Sequence, residues 1–311
     1  MYKSFYNLER NPFEITPDPS FLFPTKKHNE ALAALYYGVR RRKGFVVLTG
    51  EVGTGKTLLL RCLLQLLARS NDVAYAYVFN GRLSPVEFLQ YVAGDFGLPA
   101  ANKNKSELLL ELASYVIARA RKNLTTVLVV DEAHQLSTSI LEEIRLLTNL
   151  ETASGKLLQI LLVGQPELDD RLDSLELRQL KQRIAFRSRL AALDLTETKG
   201  YIERRLQRAG ANSHAFTLFP PQTIAAVHRY SGGIPRLINT VCENALIAAY
   251  AKQMHSVMPD IIEDIAVNFR LGVVQPLRGD IAQLPEDSDV RKAARTLLDL
   301  YDRLQKVGLQ E

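Results

Sequence analysis

The chain has 311 residues, of which 47% are hydrophobic and 23% are charged, and its formal net charge is +5. These proportions are typical of a globular protein with a large buried core and disfavour a disordered chain. The net charge is too small by itself to indicate a nucleic-acid partner. The two cysteines, Cys62 and Cys242, each lie in an apolar, helix-like stretch. We therefore predict two reduced core thiols and neither a disulfide framework nor a zinc site.

Residues 1–44 are predicted to form an N-terminal linker and a first helix. The N-terminus is polar, aromatic and rich in proline, without the apolar core of a signal peptide. No later stretch reaches the uncharged apolar length that a membrane span needs, so we expect a cytoplasmic protein with no direct membrane span. The prolines of NPFEITPDPSFLFPT predict an extended lead-in segment, and HNEALAALYYGVRR predicts a helix.

Residues 45–195 alternate between short apolar runs and amphipathic stretches. This alternation predicts an α/β fold, in which helices cover both faces of a parallel sheet. The five predicted strands are Phe45–Thr49, Val73–Phe79, Thr126–Val130, Leu157–Val163 and Arg187–Leu193. The predicted helices centre near Leu60, Phe88, Leu112, Leu146 and Leu180.

Residues 196–270 have helical patterns only. Thr196 is predicted to cap a helix through Ile202 and Leu206, and three more helical patterns follow, with prolines near their starts and glycines between them. This predicts a small all-helical second domain. Residues 271–311 are predicted to form a linker and a C-terminal amphipathic helix. The apolar seam of that helix consists of Val290, Ala294, Leu297, Tyr301 and Leu304.

The segment GEVGTGKT fits the phosphate-binding pattern G-x-x-x-x-G-K-[ST], between an apolar strand and a leucine-rich helix. The glycines let successive backbone N–H groups turn toward phosphate oxygens, and the start of the following helix adds its positive dipole end. Lys56 is predicted to reach the β- and γ-phosphates, and the Thr57 hydroxyl to hold Mg²⁺. The predicted nucleotide-binding residues are Gly50, Glu51, Val52, Gly53, Thr54, Gly55, Lys56, Thr57 and Leu58.

Two acids follow the branched apolar strand TTVLVV, and a polar residue follows the strand LLQILLVG. Asp131 is predicted to bind Mg²⁺, and Glu132 to polarise the water that attacks the γ-phosphate. The strand before Gln165 is predicted to lie beside the phosphate-loop strand. Its tip would then place Gln165 as a sensor of the γ-phosphate.

Two arginines are predicted to act on the same phosphate from outside the loop. Arg183 lies between a helix and the last strand, where an arginine could reach a neighbouring subunit's γ-phosphate, and Arg178 is the alternative. Arg236 lies in the first turn of a lid helix, although the positive dipole end disfavours a cation there unless an anion lies opposite. We therefore predict that Arg236 senses the bound nucleotide.

These motifs together resemble the AAA+ ATPases, and most closely the ExeA/GspA type of general-secretion ATPase. The resemblance covers about residues 11–270 through the lead-in, GEVGTGKT, VVDEAHQL, LLVGQPEL, LRQLKQRI and SGGIPRLIN. It implies a P-loop AAA+ fold with a five-stranded parallel sheet and a small helical lid, and ATP with Mg²⁺ bound between subunits of a ring or filament. The lead-in of such proteins wraps the adenine, which implies base-stacking or base-edge roles for Phe13 and His28. The alternative for Phe13 is simple packing.

The resemblance also implies a role in assembling a cell-envelope machine for secretion, pili or exopolysaccharide export. Family members often continue into a transmembrane helix and a periplasmic domain, neither of which this sequence shows. The expected role would then need a protein partner that recruits the chain to the inner membrane. The C-terminal helix is the candidate docking element, and packing on the lid is its alternative.

A second function stays open, because transposition-regulator ATPases of the TniB/TnsC type share the same core. Such a protein would bind DNA and activate a transposase. The basic stretches near Arg40–Lys43, Arg119–Lys122 and Arg178–Arg189 could contact DNA phosphates, although charge runs are usually solvated faces. A third reading is a nucleotide-binding scaffold with little turnover, which the pair Asp131 and Glu132 disfavours.

Overall fold

A computed structural model describes residues 2–79, 83–152, 155–211 and 215–272. Its strands are β1 (Phe45–Gly50), β2 (Val73–Val78), β3 (Thr125–Val130), β4 (Glu151–Thr152), β5 (Gly155–Lys156), β6 (Leu158–Gly164) and β7 (Ile184–Leu190). Its first eight helices are α1 (Tyr2–Phe5), α2 (Lys26–Arg40), α3 (Lys56–Ala68), α4 (Pro85–Asp95), α5 (Lys105–Arg121), α6 (Thr138–Leu147), α7 (Glu167–Leu172) and α8 (Arg178–Lys181). The later helices are α9 (Leu195–Arg208), α10 (Ala215–Leu218), α11 (Pro221–Ser231), α12 (Pro235–Ala251) and α13 (Pro259–Asn268).

Five of the strands form one parallel sheet in the order β2-β3-β6-β1-β7, which confirms the predicted α/β architecture. Every residue of β1, β3 and β6 is buried, as parallel strands covered on both faces require. The carboxyl ends of β1, β6 and β3 therefore lie side by side at one edge of the sheet. The residues that follow these strands are brought together there.

The last sheet strand runs over Ile184–Leu190, so the predicted span Arg187–Leu193 was wrong by three residues. β7 is an edge strand paired only with β1, and its side chains alternate between half-buried and exposed along most of its length. Because of these exposed positions, the strand lacks the continuous apolar run that would predict it from the sequence. Leu193 instead donates its backbone N–H to the Gly233 carbonyl at 2.9 Å, at the junction with the lid.

Two apolar cores cover the faces of the sheet. On one face, α4, α5 and α6 bury side chains such as Phe88, Leu112 and Ile144 against the strands. On the other face, α2 and α3 bury Leu35 and Leu59 among others. Burial of this kind, at about 25 cal/mol per Å² of apolar surface, is the main favourable term for the fold.

A third apolar core holds the helices α9–α13 together as the lid and also contains residues of the N-terminus. Asp194 caps α9 and forms a capping box with Glu197, so the predicted cap Thr196 was wrong. Tyr6 donates its hydroxyl hydrogen to the Met254 carbonyl at 2.9 Å, and Tyr2 donates to the Glu243 carboxylate at 2.8 Å. The start of the chain is thus tied to the lid.

Cys62 in α3 and Cys242 in α12 are buried and free, as predicted. Within the four described ranges, no helix combines the length and the apolar character that crossing a bilayer requires. The predicted C-terminal amphipathic helix, with its seam from Val290 to Leu304, lies outside the described residues.

Candidate nucleotide-binding site

The loop between β1 and α3 has the geometry of a phosphate cradle. Gly53 and Gly55 have φ values of 82° and 101°, a left-handed conformation that glycine adopts without strain. α3 begins at Lys56, directly after the loop, so its free N–H groups and positive dipole end face the same space. The Thr54 side chain is buried and donates to the Glu51 carbonyl at 2.8 Å, which fixes the curl of the loop.

Lys56 lies inside this loop with only 5% of its surface exposed. Its Nζ donates hydrogen bonds to the carbonyls of Gly50 at 2.7 Å and Glu51 at 3.0 Å. Burial lowers the pKa of Lys56, and the carboxylates of Glu132 and Asp131 oppose that shift. The ammonium group is therefore desolvated and close to where phosphate charge would lie.

Asp131 follows β3 and contacts Thr57 in the helix that follows the phosphate loop. Its Oδ2 accepts hydrogen bonds from Thr57 Oγ1 at 3.2 Å and from the Tyr77 hydroxyl at 2.8 Å. Sequence reasoning missed Tyr77, which lies on the neighbouring strand β2 and becomes recognisable only once β2 and β3 are known to pair. Burial and the Asp131 carboxylate both raise the pKa of the Tyr77 hydroxyl, so it stays a donor.

Thr57 and Asp131 fit the requirements of Mg²⁺. The ion prefers oxygen ligands, keeps several waters and is often shared with substrate phosphates. A hydroxyl and a carboxylate that lie 3.2 Å apart beside a phosphate loop supply that donor set. We therefore assign the predicted metal role to these two residues as a proposal.

Glu132 has a left-handed backbone (φ 53°, ψ 34°), unusual for a residue with a side chain. It lines the cavity above the phosphate loop. Its Oε2 lies 3.3 Å from His134 Nδ1, in the short turn Ala133–Gln135 that follows. Strained backbone often marks functional positions, and this one turns the carboxylate toward the cavity.

Gln165 follows β6, and β6 pairs with β1, so the predicted neighbour of the phosphate-loop strand is confirmed. The Gln165 amide contacts His134, with 3.0 Å between the two Nε2 atoms. Gln165 is not among the residues that line the cavity. Its sensor role therefore stays a prediction, and its contact with His134 is a feature that sequence reasoning missed.

The cavity has a volume of about 360 Å³, within the range of small-molecule sites. Three parts of the chain enclose it: the phosphate loop with Glu132, the lead-in segment and the lid. The loop contributes Val52, Gly53, Gly55, Lys56, Thr57 and Leu58. The lead-in contributes Glu14–Asp18, and the lid contributes Tyr201, Arg205, Pro235, Arg236 and Asn239.

Arg205 joins the lead-in to the lid, and no local pattern in the sequence indicates this role. It is 5% exposed, and it donates hydrogen bonds to the carbonyls of Pro12 at 2.5 Å and Glu14 at 3.1 Å. Its guanidinium group also lies 4.7 Å from the centre of the Phe21 ring and donates to the Tyr201 hydroxyl at 2.8 Å. A buried cation with this many partners fixes the cavity wall.

Arg236 lies in the first turn of α12 and lines the cavity. Its backbone N–H donates to the Gly53 carbonyl at 3.2 Å. A Cβ atom at Gly53 would lie 2.7 Å from the Arg236 Cβ, so this close approach requires glycine. The lid helix therefore contacts the phosphate loop directly.

Phe13 does not lie where its predicted base-stacking role requires. Its side chain is fully buried in the lid core, with its ring 5.7 Å from that of Phe219 in an edge-on arrangement. It does not line the cavity. The structure therefore corrects this expectation, because an aromatic ring in the lead-in gains more from the apolar lid than from the rim of the cavity. Simple packing, the alternative, fits the placement.

His28 is buried in α2 and contacts the phosphate loop. Its Nδ1 lies 2.7 Å from Thr25 Oγ1, and its Nε2 lies 3.2 Å from the Thr54 carbonyl. It is not among the cavity-lining residues, so its predicted base-edge role stays untested. Burial lowers the pKa of His28.

Arg183 lies between α8 and β7, and Arg178 is exposed at the start of α8. Neither lines the cavity of its own chain. Arg183 is close enough to lower the pKa of the Glu151 carboxyl, after the larger effect of Lys156. Arg187, by contrast, forms ion pairs with Asp169 and Asp173 of its own chain.

Comparison with known proteins identifies the fold and a relative. A family model described as an AAA domain matches residues 39–172. General secretion pathway protein A of Aeromonas hydrophila is 44% identical over 259 residues, which are 83% of this chain and 46% of that protein. The chain therefore spans about half the length of this relative.

Solved structures of low sequence identity share the fold. The ORC2 protein of Aeropyrum pernix, in its ADPNP-ADP complexes, is 19% identical, with a TM-score of 0.62 over 83% of this chain and 71% of that one. Drosophila ORC bound to DNA is 17% identical, with a TM-score of 0.64 over 89% and 67%. The RuvB branch-migration motor of Thermotoga maritima is 16% identical, with a TM-score of 0.52 over 79% and 69%.

The phosphate loop and the acidic pair lie within the residues that the AAA model matches, and the relative agrees with the predicted ExeA/GspA resemblance. The chain contains a P-loop AAA domain and is similar, over 83% of its length, to general secretion pathway protein A.

Proposed function

We propose that the chain binds MgATP between subunits of a homo-oligomer and hydrolyses it to drive or regulate assembly of a cell-envelope machine. One observation carries the hydrolytic part of this proposal. Lys56, Thr57 and Glu132 line one cavity together with residues of the lid, and the buried Asp131 lies behind Thr57, from which it accepts a hydrogen bond at 3.2 Å. Cation, metal-ligand oxygens and base are the groups that phosphoryl transfer needs.

The hydrolysis would use these residues in separate roles. Lys56 and the N–H groups of the loop bind the phosphates, and Thr57 and Asp131 hold Mg²⁺, which neutralises charge on the β- and γ-phosphates when bound. Glu132 accepts a proton from water as the water oxygen bonds to the γ-phosphorus. The bond between that phosphorus and the bridging oxygen breaks, which yields ADP and phosphate.

The proposed subunit interface depends on Arg183. Because Arg183 does not line its own cavity, a phosphate contact would be made with a neighbouring subunit's nucleotide. Loss of the γ-phosphate would then remove a ligand that two subunits share. Nucleotide turnover would thereby loosen the contact between subunits and time the assembly.

The envelope role is supported by the relative, since the name of general secretion pathway protein A assigns that protein to secretion. Recruitment to the inner membrane by a protein partner belongs to the same proposal. DNA binding is less favoured, because several of the basic residues expected to contact phosphates have partners within the chain. Arg40 pairs with Asp72 at 2.7 Å, and Arg119 donates to the Thr125 carbonyl at 3.0 Å.

Three measurements test this proposal. Turnover per subunit should rise with protein concentration, and a slowly hydrolysed ATP analogue should shift the chain to a larger species in light scattering. A chain that stays monomeric at saturating MgATP and high concentration would contradict the interface. In cells, replacing the gene with a Glu132→Gln version should block export and leave transposition unchanged, whereas the reverse outcome would favour the transposition role.

A further inference from the structure

His134 has no role in the proposed hydrolysis so far, although its ring contacts Glu132 and Gln165. Its Nδ1 lies 3.3 Å from Glu132 Oε2, and its Nε2 lies 3.0 Å from the Gln165 amide nitrogen. We infer that His134 is a positioning residue that links the sensor Gln165 to the base Glu132. This inference rests on the proposed hydrolytic roles of those two residues.

The surroundings of His134 hold its ring in place. The His134 carbonyl accepts a hydrogen bond from the Arg171 guanidinium group at 2.8 Å. A Cβ atom at Gly164 would lie 3.1 Å from the His134 backbone nitrogen, so the turn packs closely on the end of β6. The ring itself is mostly buried, with a side-chain exposure of 15%. Because the ring is held in place, a change at the partner of one ring nitrogen affects the hydrogen bond that the other nitrogen can make.

In a neutral imidazole, the partner of one ring nitrogen determines whether the other nitrogen donates or accepts a hydrogen bond. One ring nitrogen donates and the other accepts, and the partner of one nitrogen selects the tautomer. The Gln165 amide can donate to Nε2, which places the ring hydrogen on Nδ1, facing Glu132. In the other tautomer, Nδ1 would accept from the Gln165 backbone N–H at 3.5 Å, and Glu132 would lose its donor.

Glu132 needs such a partner. Its Oε2 is buried and accepts no well-aligned hydrogen bond from the described residues, and His134 Nδ1 lies within ion-pair distance of it. A carboxylate oxygen without a partner is costly to bury. Catalytic hydrogen bonds that are poorly aligned in a nucleotide-free chain often tighten when substrate binds, so the Nδ1–H would orient the carboxylate in the nucleotide-bound site. Gln165, which does not line the cavity, acts on Glu132 through this ring. The amide that selects the tautomer therefore sets the position of the base.

A double-mutant cycle on kcat tests the link. His134→Ala should lower kcat by about 10- to 100-fold, the loss expected for a hydrogen bond to a charged group, while KM for ATP stays within about threefold. Gln165→Ala should lower kcat in the parent but cause no further loss in the His134→Ala background. Independent, multiplicative losses would overturn the inference, as would His134→Ala at the parental kcat.

Two conservative variants separate the two sides of the ring. His134→Asn keeps a donor near the Nδ1 position and should retain more activity than His134→Ala, without responding to Gln165→Ala. His134→Gln keeps a polar group near the Nε2 position, facing Gln165, and should resemble His134→Ala. If His134→Ala does not fold, His134→Asn replaces it in the cycle. Equal kcat for the Asn and Gln variants would overturn the assignment of Nδ1 to Glu132.

A readout without turnover completes the test. Nitrogen NMR of the imidazole in the nucleotide-free chain should show hydrogen on Nδ1 in the parent and a changed tautomer population in Gln165→Ala. An unchanged population would overturn the link. Glu132→Gln serves as the reference for the underlying function: full activity in that variant would overturn the proposed function, whereas an inactive Glu132→Gln with additive losses in the cycle would overturn this inference alone.

Discussion

At the residue scale, Glu132 and Lys56 have opposite requirements. The cation must be desolvated to act strongly on phosphate, and its burial lowers its pKa. Glu132 must instead stay accessible, and 40% of its side chain is exposed. The left-handed backbone at Glu132 turns its carboxylate into the cavity that Lys56 also lines. An accessible carboxylate and a buried ammonium group can therefore belong to the same site.

Replacing Glu132 should separate binding from hydrolysis. We expect Glu132→Gln to lower turnover by about 10²–10⁴-fold, since it removes a general base, and to leave ATP affinity nearly unchanged. Steady-state phosphate release and a titration with fluorescent ATP measure the two effects. Glu167→Gln is the matched control, because Glu167 is an exposed carboxylate that does not line the cavity. Equal turnover in both variants would remove Glu132 from the mechanism.

At the element scale, the lead-in segment belongs to the lid as much as to the sheet domain. Phe13 packs in the lid core, and Arg205 of α9 binds the carbonyls of Pro12 and Glu14. The same segment touches α3, because Arg61 donates to the Pro17 carbonyl at 2.7 Å. A movement of the lid would therefore carry one wall of the cavity with it.

Phe13 should matter for stability and not for nucleotide contact. Phe13→Ala should lower the free energy of unfolding by about 3–5 kcal/mol, because it leaves a cavity in the lid core. Phe13→Leu should cost less and should bind nucleotide with the parental affinity. Urea unfolding and an ATP titration measure both quantities. Weakened nucleotide binding by a Phe13→Leu variant of near-parental stability would restore the stacking role.

His28 should make stability depend on pH. Burial lowers its pKa in the folded chain, so below the ordinary value of 6.5 the unfolded chain binds more protons. The His28 contribution is therefore fully present above pH 6.5 and is lost as the pH falls from there through the folded-state pKa. Urea unfolding at several pH values should show a shallower acid loss for His28→Gln than for the parent. Parallel pH profiles would show that His28 does not titrate in this way.

Local patterns in the sequence were sufficient for the phosphate loop, the acidic pair and the order of sheet and lid. Those features depend on residues adjacent in the chain. Tyr77 and Arg205 could not be found in this way, since their partners lie 54 and 193 positions away. The last strand was misplaced because the exposed, partly basic positions of Ile184–Leu190 do not form an apolar run. The contacts of Tyr77 and Arg205 and the position of this edge strand depend on the tertiary fold.

At the scale of the whole molecule, the proposed hydrolysis requires a second subunit. The cations that line the cavity within the described chain are Lys56, Arg205 and Arg236. Lys56 belongs to the phosphate loop, and Arg205 is engaged with backbone carbonyls. Arg183 adds a cation only if a neighbouring chain presents it.

Arg183→Ala should lower turnover by about 10³-fold and leave ATP binding to the isolated subunit unchanged, because an arginine from a neighbour acts on the transition state. Arg178→Ala is the paired variant, since Arg178 is the alternative candidate five residues away. Turnover and ATP affinity of both variants should be compared at the same protein concentration. A loss confined to Arg178→Ala would move the role to that residue.

The most direct test of the shared site mixes two inactive variants. Glu132→Gln keeps Arg183, and Arg183→Ala keeps Glu132, so about a quarter of the interfaces in a random mixed oligomer would contain both intact groups. We predict that the equimolar mixture hydrolyses ATP well above the sum of the two separate variants. A mixture that shows only that sum, while co-purification of an untagged variant with a tagged one proves that mixed oligomers form, would contradict a site built from two chains.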